Sequence, residues 1–271
     1  MRYPQFQKPP LGQQINWAHP LAKGLVGCWL MNEGAGNRIY DLSGNGNTGS
    51  LISTTKWVAG RSGSVLSFNG TSDYVDVGSN AIIKPVSAIT VSAWVKFNSL
   101  TADIRAISDW HQSVIEDRWI FYEISATEIY WYVCNANGVG IGYVSYTPAL
   151  NTWLHLVGVY NGSVVTLYVN GVSVGTPASL SGNMNAGSAV NTVRIGKQAE
   201  TGWCFNGLID DVRIYNRALS ASEVQQLYVN PYAMFERRPV WMDYVAAAGR
   251  PEFYGSNLWS GSYPMFRGGN L

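Results

Sequence analysis

Charge is scarce in this sequence. Asp, Glu, Lys and Arg make up 13% of its 271 residues, roughly half the share usual for a soluble domain. Its 18 basic and 17 acidic residues leave a net charge of +1, and no Lys/Arg cluster stands out. A nucleic-acid partner is therefore not expected, since phosphate binding needs a basic patch or stripe. Cysteine is scarce too: Cys28, Cys134 and Cys204 lie far apart with no CxxC pair, which argues against a zinc site. Cys28, within GLVGCWL, reads as a small core residue; one Cys134–Cys204 bridge is left open. No apolar run is long enough to span a bilayer, so no membrane partner is expected. The N-terminal MRYPQFQKPPLGQQ lacks the apolar stretch of a secretory signal. The expectation is a protein made in a cytosol and not exported by an N-terminal signal.

Aromatic residues are plentiful. There are 11 Trp and 16 Tyr, and 46% of residues are hydrophobic. Low charge with many Tyr and Trp suits surfaces that bury themselves against sugar rings, neighbouring subunits, or both.

Residues 1–23 hold Pro4, Pro9, Pro10 and Pro20, which prevent regular structure. They read as an extended arm held by a neighbour. From Leu25 onward, short apolar runs alternate with Gly/Asn turns. In 88–97, Val91, Ala93, Val95 and Phe97 fall on one side and Ser92, Trp94 and Lys96 on the other, the period of two of a sandwich strand. Asn69-Gly70 predicts a hairpin between 65–68 and 74–77. Asn161-Gly162 and Asn170-Gly171 predict the two turns of a meander over 153–175, and Asn206-Gly207 another hairpin turn, because a type I′ turn needs positive φ at both central residues. Ser220-Ala221-Ser222-Glu223 is a capping box. It opens a short helix with Val224, Leu227 and Tyr228 on one face. About a dozen strands with turns between them predict one two-sheet antiparallel sandwich. Residues 230–271 have no such period but many aromatics, unlike ordinary disordered segments. They read as a strap over their own domain or an arm reaching into adjacent subunits.

Seven stretches occur in an order that resembles the laminin G-like, concanavalin A-like jelly-roll family: GLVGCWLMNEGAG, YDLSGNGNTGSL, SFNGTSDYVDVG, ITVSAWVKF, NTWLHLVGVYNGSVVTLYVNGV, IGKQ and FNGLIDDVRIYNRALSASEVQQLY. The resemblance covers about residues 24–229, leaving 1–23 and 230–271 as arms. It implies an all-β jelly-roll sandwich of two antiparallel sheets, often with one cation at the rim. The implied calcium ligands are Asp41, Asn47 and either Asp210 or Asp211, with backbone carbonyls. For the loop at 40–49, the residues themselves also allow a self-hydrogen-bonded turn without an ion. The flanks, MRYPQFQKPPLGQQINWAHPLAKGLVGCW and NPYAMFERRPVW, resemble structural proteins of tailed bacteriophages. That resemblance implies a virion protein with other virion proteins as partners and a homo-oligomeric assembly. A capsid decoration protein with a protruding sandwich is its leading form.

Glucanases of this architecture carry Glu-x-Asp-x-x-Glu on one strand, placing alternate carboxylates in one cleft; no such spacing occurs here. Glu116 and Asp117 are adjacent, and Glu123 and Glu128 fall on separate strands or across a turn. His19 lies in the Pro-rich arm, and His155 reads as a packed sheet residue. His111 has no activated serine beside it. Catalysis is therefore not expected. The alternative function is a carbohydrate-binding, lectin-like adhesion module of a phage tail or fibre or of a bacterial surface protein, with a host-surface glycan as ligand and Trp110, His111, Trp119, Tyr130 and Tyr132 as candidates, because aromatic faces stack on sugar rings.

Overall fold

The computed structural model describes residues 7–100, 105–109, 118–125, 127–136, 140–185, 191–198 and 203–235, without the side chains of 123–125. In chain order the strands are β1 (Leu25–Trp29), β2 (Arg38–Ile39), β3 (Gly49–Ile52), β4 (Lys56–Gly60), β5 (Gly63–Asn69), β6 (Tyr74–Asp76), β7 (Ile89–Phe97), β8 (Arg105–Asp109), β9 (Trp119–Ser125), β10 (Glu128–Cys134), β11 (Ile141–Tyr146), β12 (Trp153–Tyr160), β13 (Val164–Val169), β14 (Val172–Ser179), β15 (Arg194–Ile195) and β16 (Asn206–Tyr215), followed by helix α1 (Ala221–Val229). Among the described residues they form two eight-stranded antiparallel sheets. The first runs β14-β13-β12-β7-β16-β5-β4, with β1 also on β16; the second runs β11-β10-β9-β8-β15-β6-β3-β2. The chain divides into units Met1–Glu236 and Arg237–Leu271, and all that is described belongs to the first. Among the described residues no helix is long and apolar enough to cross a membrane.

The alternation read from the sequence sets the core. Val91, Ala93, Val95 and Phe97 point between the sheets, where they meet Trp119, Phe121 and Trp131 of the second sheet. Asn161-Gly162 and Asn170-Gly171 make the two turns of β12-β13-β14, with Gly162, Asn170 and Gly171 at positive φ. The capping box forms as expected: the Glu223 N–H donates to Ser220 Oγ and the Ser220 N–H to Glu223 Oε2.

Two glycine turns were misread. Asn69-Gly70 makes no hairpin, because β5 lies in the first sheet and β6 in the second. Asn69 Oδ1 accepts from the N–H groups of Thr71, Ser72 and Asp73 and curls the chain from one sheet to the other. Asn206-Gly207 begins β16, with Gly207 opposite Phe68 on one side and Phe97 on the other. A Cβ there would lie 2.1 Å from the Lys96 carbonyl oxygen, so glycine serves a close approach of two backbones.

β16 organises the first sheet. One half pairs with β5, the other with β1, and its opposite edge with β7. Register shifts between Asp210 and Arg213, where Asp211 adopts φ 48°. This β-bulge adds one residue to the strand. Ile209 and Val212 therefore both face the core, and Asp210 and Asp211 lie together on the outer side.

That outer side is covered. Ile15, Leu21 and Ala22 pack with Leu25, Val157, Tyr215, Val224, Leu227, Tyr232, Met234 and Phe235 in a second apolar cluster. Ile15 bridges to Phe235, and the Asn16 N–H donates to the Met234 carbonyl at 2.8 Å. Residues 7–23 and 230–235 thus share a core with the chain's own first sheet. Cys28 and Cys204 are buried free thiols, so Cys204 makes no bridge.

Candidate functional site

The outer face of the second sheet carries tyrosines where the first sheet carries its flanks. Along β10, Ile129, Trp131 and Val133 point inward, leaving Glu128, Tyr130 and Tyr132 outward. The antiparallel register sets Tyr130 opposite Tyr122 of β9 and Ser145 of β11, and Tyr132 opposite Tyr143. The rings touch as a group. Tyr122 lies 6.0 Å from Tyr130 and 5.8 Å from Tyr132; Tyr143 lies 5.6 Å from Tyr130 and stacks on Tyr132 at 6.2 Å. Tyr143 is 53% exposed. At one border the Arg105 guanidinium sits 4.1 Å over the Tyr122 ring and 5.3 Å from that of Trp203, with its Nε donating to Gln198 Oε1.

Polar groups are set into this apolar surface. The Tyr130 hydroxyl donates to Glu128 Oε2 at 2.8 Å, and Ser145 Oγ donates to Glu128 Oε1 at 3.3 Å. The bond to Glu128 pushes the Tyr130 hydroxyl up to about 12, so it remains a neutral donor at ordinary pH. Rings that present flat apolar faces beside fixed donors and acceptors match the mixed surface of a sugar.

Two sequence candidates, Tyr130 and Tyr132, stand in this group. Trp119 does not: it faces the core, fully buried 6.1 Å from Trp131, out of reach of any ligand on the outer face. Trp110 and His111 lie outside the described residues. The ends of their loop are clamped by the Asp109–Arg118 ion pair at 2.7 Å. Sequence reasoning missed Tyr122, Tyr143 and Glu128. Their signal was the period of two in neighbouring strands combined with hairpin register.

The implied calcium ligands do not assemble a fitting site. Asp41 and Asn47 do meet, but as acceptor and donor. Asp41 Oδ1 accepts from the Cys28 and Ser43 N–H groups, and Oδ2 from Ser43 Oγ, the Asn47 N–H and Asn47 Nδ2. A cation would have to evict these donors, so the chemistry is that of a self-hydrogen-bonded loop. Asp211 is held by Arg213 through two bonds of 2.8 and 2.9 Å. Asp210 pairs with Lys8 at 2.5 Å; burial pushes its carboxyl up to about 7, against the opposing pull of Lys8. Among the described residues, no group of three or more His, Cys, Asp or Glu is placed to hold a metal.

Ser92 Oγ lies 2.9 Å from His155 Nε2. The pair is sealed. His155 is 2% exposed, with Trp94 at 5.0 Å and Tyr228 at 6.1 Å from its ring. Its Nδ1 has no hydrogen-bond partner, so no carboxylate orients it as a general base would require. Burial, aided by Arg213 and Arg61, takes the imidazole down to about 3. His155 is thus a neutral cross-strand partner, as expected of a packed sheet residue. His19 Nδ1 accepts from the Leu21 N–H at the start of a short 3₁₀ turn.

A family model for the concanavalin A-like lectin/glucanases superfamily matches residues 69–225. The structure is similar to the binding domain of Paraclostridial Mosquitocidal Protein 1 (TM-score 0.65, 19% identity), covering 79% of this chain and 53% of that one. It is also similar to domain 4 of AbnA, an extracellular GH43 arabinanase of Geobacillus stearothermophilus in complex with arabinotriose (TM-score 0.58, 19% identity; 75% and 98% covered). A third is the receptor-binding domain of botulinum neurotoxin C/D mosaic serotype (TM-score 0.60, 16% identity; 78% and 52% covered). The chain spans about half the length of the two toxin domains. At these identities the likeness is one of fold. No curated protein matches in sequence.

Proposed function

The chain belongs to the concanavalin A-like lectin/glucanases superfamily, and from that premise we propose that it is a non-catalytic carbohydrate-binding module. The observation that carries this reading is the ring of four tyrosines, each in contact with two others, on the outer face of β9, β10 and β11. Contiguous surface aromatics of this kind, Tyr143 exposed and the other three half-buried, mark interaction sites. Domain 4 of AbnA, solved with arabinotriose, gives support from the same fold, as does the receptor-binding toxin domain. Truncating Tyr143 to Ala removes the most exposed ring. The expected loss is about 1–2 kcal/mol, or roughly ten-fold in affinity. A glycan array followed by titration of the best oligosaccharide checks it, with unchanged thermal melting as the folding control. A blank array with the intact chain overturns the reading.

The setting we propose is a bacteriophage virion, on which the sandwich protrudes and segments outside 7–235 engage neighbouring subunits. The flank resemblance supports it. Deleting residues 236–271 then leaves a folded module that no longer joins particles; retained incorporation overturns this setting.

A further inference from the structure

We infer that the tyrosine face selects uncharged sugars over acidic ones, and that Glu128 makes the selection. This rests on the proposed glycan site. Glu128 opens β10 on the outward parity, on the same face as Tyr130, whose partner across on β11 is Ser145. Both of its oxygens are occupied from within the face, Oε2 by the Tyr130 hydroxyl and Oε1 by the Ser145 hydroxyl. Both donors are neutral, and among the described residues Glu128 forms no ion pair. Among the described residues its negative charge is thus fixed in place without being cancelled.

A carboxylate has about four acceptor sites, so two bonds leave capacity for more. Sugar hydroxyls lying over Tyr130 can donate to it, and bonds of that type are short and strong. A sugar carrying a carboxylate or sulfate in the same place offers no donor and brings a like charge. Arg105, the cation bordering the face, does not reverse this. It is 7% exposed and packed between Tyr122 and Trp203, with its Nε committed to Gln198.

The test uses the full chain on an array printed with neutral oligosaccharides and the sialylated or sulfated counterpart of each. Wild type is expected to bind neutral members about ten-fold better than their acidic counterparts. Glu128→Gln keeps an acceptor for Tyr130 and removes the charge, so it should narrow that ratio to about two-fold. Tyr143→Ala should weaken both classes together. Equal or better binding of the acidic members by wild type overturns the inference while leaving the glycan site standing. So does an unchanged ratio in Glu128→Gln. A blank array, or binding insensitive to Tyr143→Ala, removes the site itself and the selectivity with it.

Discussion

Replacing Asp211 with alanine is expected to cost about 3–5 kcal/mol of stability, because it leaves the buried Arg213 guanidinium unpaired. For a domain of this size that lowers the melting temperature by roughly ten degrees or more. Arg213 is 1% exposed, and both hydrogen bonds from its side chain go to Asp211. Nη1 already lacks a hydrogen-bond partner, so the guanidinium has no spare satisfaction to lose. Alanine at φ 48° adds backbone strain that aspartate tolerates better. Asp211→Gly separates the two causes: it relieves the backbone yet still orphans Arg213, and most of the loss should remain. Adding Arg213→Met to that variant should recover much of it, since replacing both members of a buried pair is often close to neutral. The loss should be the same in calcium and in chelator. A loss seen only in calcium would restore the metal to Asp211 and overturn the ion-pair account.

Gly207→Ala is the second substitution with a large expected effect. The new Cβ meets the Lys96 carbonyl oxygen at 2.1 Å, and that oxygen belongs to the neighbouring strand's backbone. A backbone atom cannot swing aside as the end of a side chain can, so β16 must part from β7. Overpacking combined with strain at φ 154° predicts a cost on the order of 3 kcal/mol or more. Gly78 is the control. It also has positive φ, 87°, but open space around its Cβ direction, so Gly78→Ala should cost only about 1–2 kcal/mol. Urea midpoints compare the two, and an equal effect would reject the contact between β16 and Lys96 as the cause.

The sandwich was legible because its code is local. Val91, Ala93, Val95 and Phe97 alternate whatever lies across from them, and Ser220 and Glu223 cap a helix within one turn. The misread turns show where locality ends. Asn161-Gly162 and Asn206-Gly207 are the same dipeptide. One bends a hairpin, and the other lets two strands approach; only the position of Lys96 distinguishes them. Neighbours in a strand point to opposite faces, and only the bulge at Asp211 turns Asp210 and Asp211 outward together. The wrapping of residues 7–23 was hidden because Ile15, Leu21 and Ala22 follow no period. At the site, Tyr130 and Tyr132 were visible from their own strand. Tyr122 and Tyr143 join them only through register, and Trp119 is removed by the same parity.

The bridge between Ile15 and Phe235 ties the N-terminal segment to the last described residue over the covered sheet. The tyrosines stand on the opposite side of the sandwich. A carrier joined close to either end therefore meets the domain from behind, as a handle meets a brush, and the aromatic face is presented away from it. Many copies mounted this way on one surface would all display the same face outward, and weak single contacts would then add up through multivalency.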